Sequence, residues 1–167
     1  DDHVDQGEEH GGEEVREPPG DAGNKASIGS GFQISANGRV ASNFHVVSDA
    51  VKKPDGYLIE YLASDGSKGS MQLLAVDVVN DLALLQHDRA GTPFLQLHQA
   101  ELNKGTRIFS LGNPHDLGMT VVEGTYNGLV DHTLYERVLF TGSLNPGMSG
   151  GPTLNRDGEV VGINVST

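Results

Sequence analysis

The sequence NPGMSGGP, at residues 145–152, places a serine among three glycines on a stretch that runs into apolar residues. Glycines let a backbone approach a reacting carbonyl closely and turn successive N–H groups to one side, as an oxyanion site requires. The stretch therefore predicts Ser149 as a nucleophile within an oxyanion loop of Gly147, Met148 and Ser149, with the N–H groups of Gly147 and Ser149 as natural donors. An ordinary glycine-rich hairpin with an exposed serine has the same composition, so other parts of the chain must distinguish the two interpretations.

The base that would activate Ser149 has to come from earlier in the chain. Residues 147–151 also match the Gly-x-Ser-x-Gly elbow of α/β-hydrolases, in which an acid and then a histidine follow the serine. No histidine follows Ser149, which excludes that order. His45 is the strongest upstream candidate. We expect it at the end of the strand-like run 39–44, before a turn at 48–49, where a sheet can hold an imidazole rigidly.

The candidate acid is Asp81, which precedes the apolar run Leu82–Leu85. Its carboxylate is expected at the edge of a core, where it needs a hydrogen-bond donor such as an imidazole N–H. Asp77 is the local competitor, but its place in an alternating strand predicts that it faces solvent. Four other histidines fall in polar stretches and are predicted on the surface: His87, His98, His115 and His132.

The fold class follows from the pattern beyond Ile28, where short β-rich runs alternate with turn residues and no helical period lasts beyond about ten residues. Asn37-Gly38 and Asp157-Gly158 lie between apolar runs, where tight hairpins need a positive φ. Regular short strands with such turns predict an all-β sandwich or a pair of barrels. The predicted strands are residues 28–35, 39–43, 57–62, 71–78, 82–87, 107–111, 119–123, 126–130, 137–141, 151–154 and 159–164.

Composition excludes several classes of function. The chain has 167 residues, a formal net charge of -12 and no cysteine, so disulfides and thiol catalysis are excluded. The acidic balance, with no cluster of lysines and arginines, disfavours nucleic acid and anionic membranes as partners. No apolar run has the length of a membrane span, so no membrane insertion is expected.

Residues 1–27 differ from the rest of the chain, with nine acidic and two basic side chains around Pro18-Pro19-Gly20. So few apolar residues cannot offset the entropy of ordering, which predicts a disordered acidic tail. His3 and His10 among these carboxylates leave open a metal-binding role for the tail, although no fixed ligand spacing supports it.

His45, Asp81 and Ser149 occur in the chain order His, Asp, Ser, which is one of the orders found in serine peptidases. From Ile28 onward the chain resembles the trypsin-like peptidases of the chymotrypsin fold, and most closely the HtrA/Deg branch. The resemblance rests on GSGF at 29–32, NFHVV at 43–47, NDLALL at 80–85, LGNP at 111–114, NPGMSGGP at 145–152 and GEVVGIN at 158–164.

The resemblance implies a protease domain over residues 28–167. It would consist of two antiparallel β-barrels of the six-stranded type, the second lacking its last strand. It implies a serine endopeptidase of protein quality control that needs no cofactor or metal, cleaves unfolded polypeptides in the periplasm or cell envelope, and forms a homotrimer.

The resemblance also implies a substrate pocket. Ser143, six residues before the nucleophile, would form its floor, and the surrounding residues would be Thr141, Gly142, Leu144 and Val165. No acidic residue occupies the floor, so a small or medium apolar side chain is expected before the cleaved bond rather than Lys or Arg.

Two departures from the pattern keep a second function open. Met148 stands where the family usually has Asn or Asp, and one strand of the second barrel is expected to be absent. The alternative is a peptide-binding or scaffold module that keeps the protease fold without turnover.

Overall fold

The computed structural model describes residues 26–114, 118–130 and 136–165 of the chain. The predicted tail at 1–27 lies almost wholly outside these ranges, as do His3, His10, His115 and His132. The described elements are β1 (Phe32–Gln33), β2 (Arg39–Ser42), α1 (Phe44–Lys52), β3 (Ile59–Leu62), β4 (Lys68–Asp77), β5 (Leu82–Gln86), β6 (Arg107–Gly112), β7 (Thr120–Leu129), β8 (Val138–Thr141), β9 (Pro152–Leu154) and β10 (Val160–Ile163).

The strands form two antiparallel sheets, one from each half of the chain, which confirms the prediction of an all-β architecture in two parts. The first sheet has the order β1-β2-β5-β4-β3 and the second the order β10-β9-β6-β7-β8. Within the described residues each sheet has five strands, as predicted for the second half and one fewer than predicted for the first. Register shifts between Leu73 and Ala75 and between Tyr126 and Leu129 mark the irregularities at which strands bend.

Alternating apolar residues explain both cores. In the first half Val47, Ala83 and Leu85 are buried, with Val40 and Leu73 packed against them. In the second half Ile108 is completely buried on β6. The predicted hairpin turns are confirmed, because Gly38 and Gly158 have φ angles of 87° and 80°, which glycine adopts without steric cost.

Helix α1 is the main departure from the prediction, which placed neither a helix nor a strand at residues 45–52. His45 lies in its first turn, not at a strand end, and the turn predicted at 48–49 is helical. Val47 and Val51, four residues apart, both pack against the first core, which is the spacing of one helical face. The β-branched residues of this segment have a propensity for β-strands, and tertiary packing overrides that propensity.

The bounds of several predicted strands also differ from those observed. The runs 119–123 and 126–130 form one continuous strand, β7, because Gly124 does not interrupt it. The Phe140 ring covers Gly124 so closely that an added Cβ would lie 2.1 Å from Phe140 Cε2. The strand predicted at 28–35 is reduced to β1, because residues 29–31 instead run past the serine loop of the second half.

The surface positions predicted for two histidines are wrong. His87 is buried, at 7% exposure. The loss of water around its ring is compensated because Nδ1 accepts the Arg89 N–H at 3.1 Å and Nε2 donates to Gln33 Oε1 at 2.9 Å. These two bonds satisfy both ring nitrogens of a neutral imidazole. His98 is half-buried, with Nδ1 2.6 Å from Glu159 Oε2.

The segment at 95–98 joins the two halves. The Leu95 N–H donates to the Gln33 carbonyl of β1, while the Gln96 carbonyl and the His98 N–H bond to Val160 of β10. The side-chain contact between His98 and Glu159 lies beside these bonds. Hydrogen bonds from Asn155 and then from His98 hold the pKa of Glu159 below its ordinary value.

We expect Glu159→Gln to lower stability in a pH-dependent way. Because the folded state depresses the pKa of Glu159, its contribution is complete above the ordinary glutamate pKa and is lost as pH falls through the lower folded value. Urea unfolding from pH 7 to pH 3 should therefore show wild type and variant converging at acid pH. Glu60→Gln, on the exposed face of β3, is the control, and a constant difference between wild type and Glu159→Gln would contradict the assignment.

Candidate active site

His45 and Asp81 form a two-point hydrogen-bonded pair. His45 Nδ1 lies 2.6 Å from Asp81 Oδ2, and the backbone N–H of His45 donates to Asp81 Oδ1 at 2.8 Å. One carboxylate therefore holds both the ring and the main chain of the histidine. Nδ1 faces the carboxylate, so a neutral ring carries its proton there and leaves Nε2 as the basic nitrogen.

The backbone of Asp81 is held in an uncommon conformation at the turn before β5. Its φ is 56°, the one positive value of a non-glycine residue in the described ranges. Its carbonyl accepts from the Phe44 N–H at 3.1 Å and from Asn43 Nδ2 at 2.9 Å. These bonds offset the cost of the left-handed conformation, which is on the order of 1 kcal/mol. They tie Asp81 to the start of the helix that carries His45.

Asn43 is a site residue to which the sequence assigned no role. It is completely buried at the N-cap of α1 but makes no side-chain cap. Its Nδ2 donates to the Asp81 carbonyl at 2.9 Å. Its Oδ1 has no hydrogen-bond partner among the residues that the structure describes. An asparagine two residues before a candidate histidine is the signal that could have identified it.

The serine lies on a tight loop between β8 and β9. The Met148 N–H donates to the Asn145 carbonyl at 3.1 Å, and the Met148 carbonyl accepts the Gly151 N–H at 3.0 Å. Gly147 and Gly150 adopt φ angles of 93° and 86°, which only glycine adopts readily. Of the three predicted oxyanion residues, Met148 thus has its own amide engaged within the loop.

Met148 anchors this loop in the second half. It is completely buried and lies against Gly112 at the end of β6, where an added Cβ would come within 2.7 Å of Met148 Cα. The side chain that replaces the family's usual polar residue is therefore a packing anchor. Ser149 beside it is 4% exposed.

Close backbone packing places the serine loop against the residues that precede the helix of His45. A Cβ added at Gly150 would lie 2.2 Å from the Ser30 carbonyl oxygen, 2.5 Å from Ser42 Oγ and 3.1 Å from the Asn43 N. Gly150 follows Ser149, and Asn43 comes two residues before His45. The fold thus brings all three predicted catalytic residues into one region, with His45–Asp81 from the first half and Ser149 from the second.

The predicted pocket residues flank the same loop. Thr141 ends β8 and accepts a hydrogen bond from Asn127 Nδ2 at 2.5 Å, and Gly142 lies against the ring of Phe140. Ser143 is exposed and Leu144 half-buried. Val165 directly follows Asn164, whose N–H donates to the Gly151 carbonyl and whose carbonyl accepts from the Gly150 N–H.

The described residues contain neither a candidate metal centre nor a membrane-spanning helix. No group of three or more His, Asp or Glu side chains among them could hold a metal ion. Across the same ranges, no helix has the length and apolar character needed to span a membrane.

Comparison with known proteins identifies the class of protein. The sequence profile of the trypsin-like peptidase domain matches residues 29–163, and the chain belongs to that family. At 35% identity it is similar to a DegP-like periplasmic serine endoprotease of Halomonas elongata, in an alignment that covers 92% of this chain and 33% of that protein. A DegP-like relative of Pseudomonas fluorescens is 36% identical over 93% of this chain and 33% of its own length. The chain thus spans about a third of these relatives.

Solved structures agree with the sequence relatives. The serine endoprotease from Yersinia pestis superposes with a TM-score of 0.73 at 28% identity, covering 83% of this chain and 48% of that one. The HtrA-type protease AlgW, solved with a decapeptide, superposes with a TM-score of 0.75 at 28% identity, covering 83% of this chain and 43% of that one. These likenesses confirm the predicted HtrA/Deg resemblance and the chymotrypsin-like fold.

Proposed function

We propose that this domain is a serine endopeptidase in which Ser149 attacks a peptide carbonyl, His45 transfers the proton and Asp81 orients the imidazole. The observation that carries the proposal is the double hydrogen bond of Asp81 to His45, at 2.6 Å to the ring and 2.8 Å to the backbone. A carboxylate in this position selects the tautomer with a basic Nε2 and stabilises the imidazolium that forms when Ser149 is deprotonated.

The chemistry then proceeds in two acyl-transfer steps. Ser149 Oγ bonds to the carbonyl carbon while its proton moves to His45 Nε2, and the carbonyl oxygen becomes an oxyanion. The proposed donors to that oxyanion are the N–H groups of Gly147 and Ser149. His45 then gives its proton to the leaving amine, and a water molecule, activated in the same way, hydrolyses the acyl-enzyme.

For substrate, we propose unfolded polypeptide in the periplasm or cell envelope. The relatives named as periplasmic endoproteases support this location. At the pocket, the exposed Ser143 and the neighbouring Gly142 and Leu144 bring no charge. An uncharged floor offers no partner to Lys or Arg, so cleavage should follow small or medium apolar residues.

Cleavage of a protein in folded and reduced, unfolded forms tests this proposal. We expect the chain to degrade only the unfolded form, with mostly small or medium apolar residues such as Ala or Val before the cut in the mass-spectrometric peptide profile. Cuts that mostly follow basic residues would contradict the pocket assignment. Equal cleavage of both forms would contradict the substrate class.

A further inference from the structure

Ser30 contacts the serine loop from the opposite half of the molecule. Its N–H donates to the Ser149 carbonyl and its hydroxyl to the Gly147 carbonyl, both at 2.8 Å. One residue of the first half therefore binds the carbonyls on both sides of Met148. Gly147 and Ser30 are 117 positions apart in sequence, so the arrangement depends wholly on the tertiary fold.

The direction of the hydroxyl bond follows from its second partner. The backbone N–H of Asn113 donates to Ser30 Oγ at 3.1 Å. A backbone N–H can only donate, so Oγ accepts there and its single proton is available for the Gly147 carbonyl. The Ser30 hydroxyl thus joins the end of β6 to the loop as both acceptor and donor.

Two peptide planes of the loop are fixed at both ends as a result. In the peptide unit between Gly147 and Met148, the Gly147 carbonyl accepts from Ser30 Oγ. The Met148 N–H of the same unit donates to the Asn145 carbonyl. In the peptide unit between Ser149 and Gly150, the Ser149 carbonyl accepts from the Ser30 N–H. The Gly150 N–H donates to the Asn164 carbonyl at 2.9 Å. Because peptide units are planar, fixing these planes limits the orientation of the units between and before them. Those units carry the N–H groups of Gly147 and Ser149.

Ser30 also contacts the strand that leads to the helix of His45. Its carbonyl accepts from Ser42 Oγ at 2.7 Å, and Ser42 ends β2, directly before Asn43 and the helix of His45. The same short segment therefore contacts the oxyanion loop and the strand that leads to the base.

We propose that Ser30 is a positioning residue whose hydroxyl, fixed by Asn113, holds the Gly147 carbonyl and so keeps the oxyanion donors aligned. This inference rests on the proposed peptidase function and goes beyond it, because it assigns control of the oxyanion loop to a residue outside the triad. Ser30 itself touches no reacting atom. Its loss should therefore reduce turnover more than substrate binding.

Ser30→Ala removes the hydroxyl and keeps the backbone bond to Ser149. We expect kcat for a peptide substrate to fall by about 10- to 100-fold with little change in KM, below the 100- to 1,000-fold loss typical when an oxyanion donor is removed outright. The side chains introduced by Ser30→Thr and Ser30→Val have the same shape, so the difference in kcat between these variants isolates the contribution of the hydroxyl. Thr should retain most of the activity that Val loses.

Amide hydrogen exchange gives a readout that does not depend on activity. Peptides covering residues 143–151 should exchange faster in Ser30→Ala and Ser30→Val, while those of β2 and β5 remain as in wild type. Ser67→Ala, which loses a hydroxyl bond to Asp65 in the distant β3–β4 hairpin, controls for general destabilisation. A second outcome is an inactive wild type that still shows slow exchange of the loop amides, with faster exchange in Ser30→Ala. That result would contradict the peptidase function and support the positioning role. Unchanged loop exchange and kcat in Ser30→Ala, or equal activity of the Thr and Val variants, would overturn the role of the hydroxyl.

Discussion

Ser149→Ala is expected to lower kcat for peptide cleavage by about 10⁶-fold, because it removes the atom that forms the acyl-enzyme. The side chain is small and 4% exposed, and alanine leaves the loop glycines unchanged. The variant should therefore fold with an unfolding midpoint close to that of wild type. Residual hydrolysis would reflect only binding and oxyanion stabilisation by the remaining groups.

A fluorophosphonate probe distinguishes an activated serine from an ordinary one. Wild type should be modified at Ser149, while Ser149→Ala and His45→Ala should not react. Ser64→Ala, at an exposed position of the β3–β4 hairpin, should react like wild type. A folded wild-type chain that the probe does not modify would contradict the peptidase proposal and favour a peptide-binding module.

Asp81→Asn is expected to lower kcat by about 10⁴-fold while leaving the fold intact. The backbone N–H of His45 requires an acceptor at Oδ1, 2.8 Å away, so the amide oxygen of an asparagine should take that position. Its NH₂ group would then face Nδ1, which has to become an acceptor. The proton would move to Nε2, and the histidine could no longer remove a proton from Ser149.

The neighbouring carboxylate Asp77 provides a matched control. It ends β4 and accepts from the N–H and the side-chain amide of Asn80, at 3.0 Å and 2.7 Å. These bonds lower the pKa of Asp77, but no catalytic residue is among its partners. Asp77→Asn should thus retain wild-type kcat across the pH profile. A loss as large as that of Asp81→Asn would show that charge near β4, and not the tautomer of His45, controls activity.

The three candidate catalytic residues could be proposed from the sequence because each stands in a local pattern with a mechanical meaning. Ser149 lies among glycines, Asp81 precedes an apolar strand, and the order of His45, Asp81 and Ser149 excludes the hydrolase elbow. The turns at Gly38 and Gly158 could be predicted for the same reason, since a positive φ selects glycine locally.

The helix of His45 shows where local patterns fail. Its β-branched residues favour a strand, and burial of Val47 and Val51 against the first core decides for a helix. The burial of His87 had no signal in sequence either, because its partner Gln33 lies on β1, 54 positions away along the chain.

What the sequence determined by itself is the class of protein and the identity of its candidate catalytic groups, since these depend on residue type and order. Tertiary structure alone decided how those groups are held. Ser30 binds the Gly147 carbonyl, and Asn43 binds the carbonyl of Asp81, across 117 and 38 positions of sequence. Such bonds depend on where two distant backbones meet, and a linear pattern of residue types does not specify that.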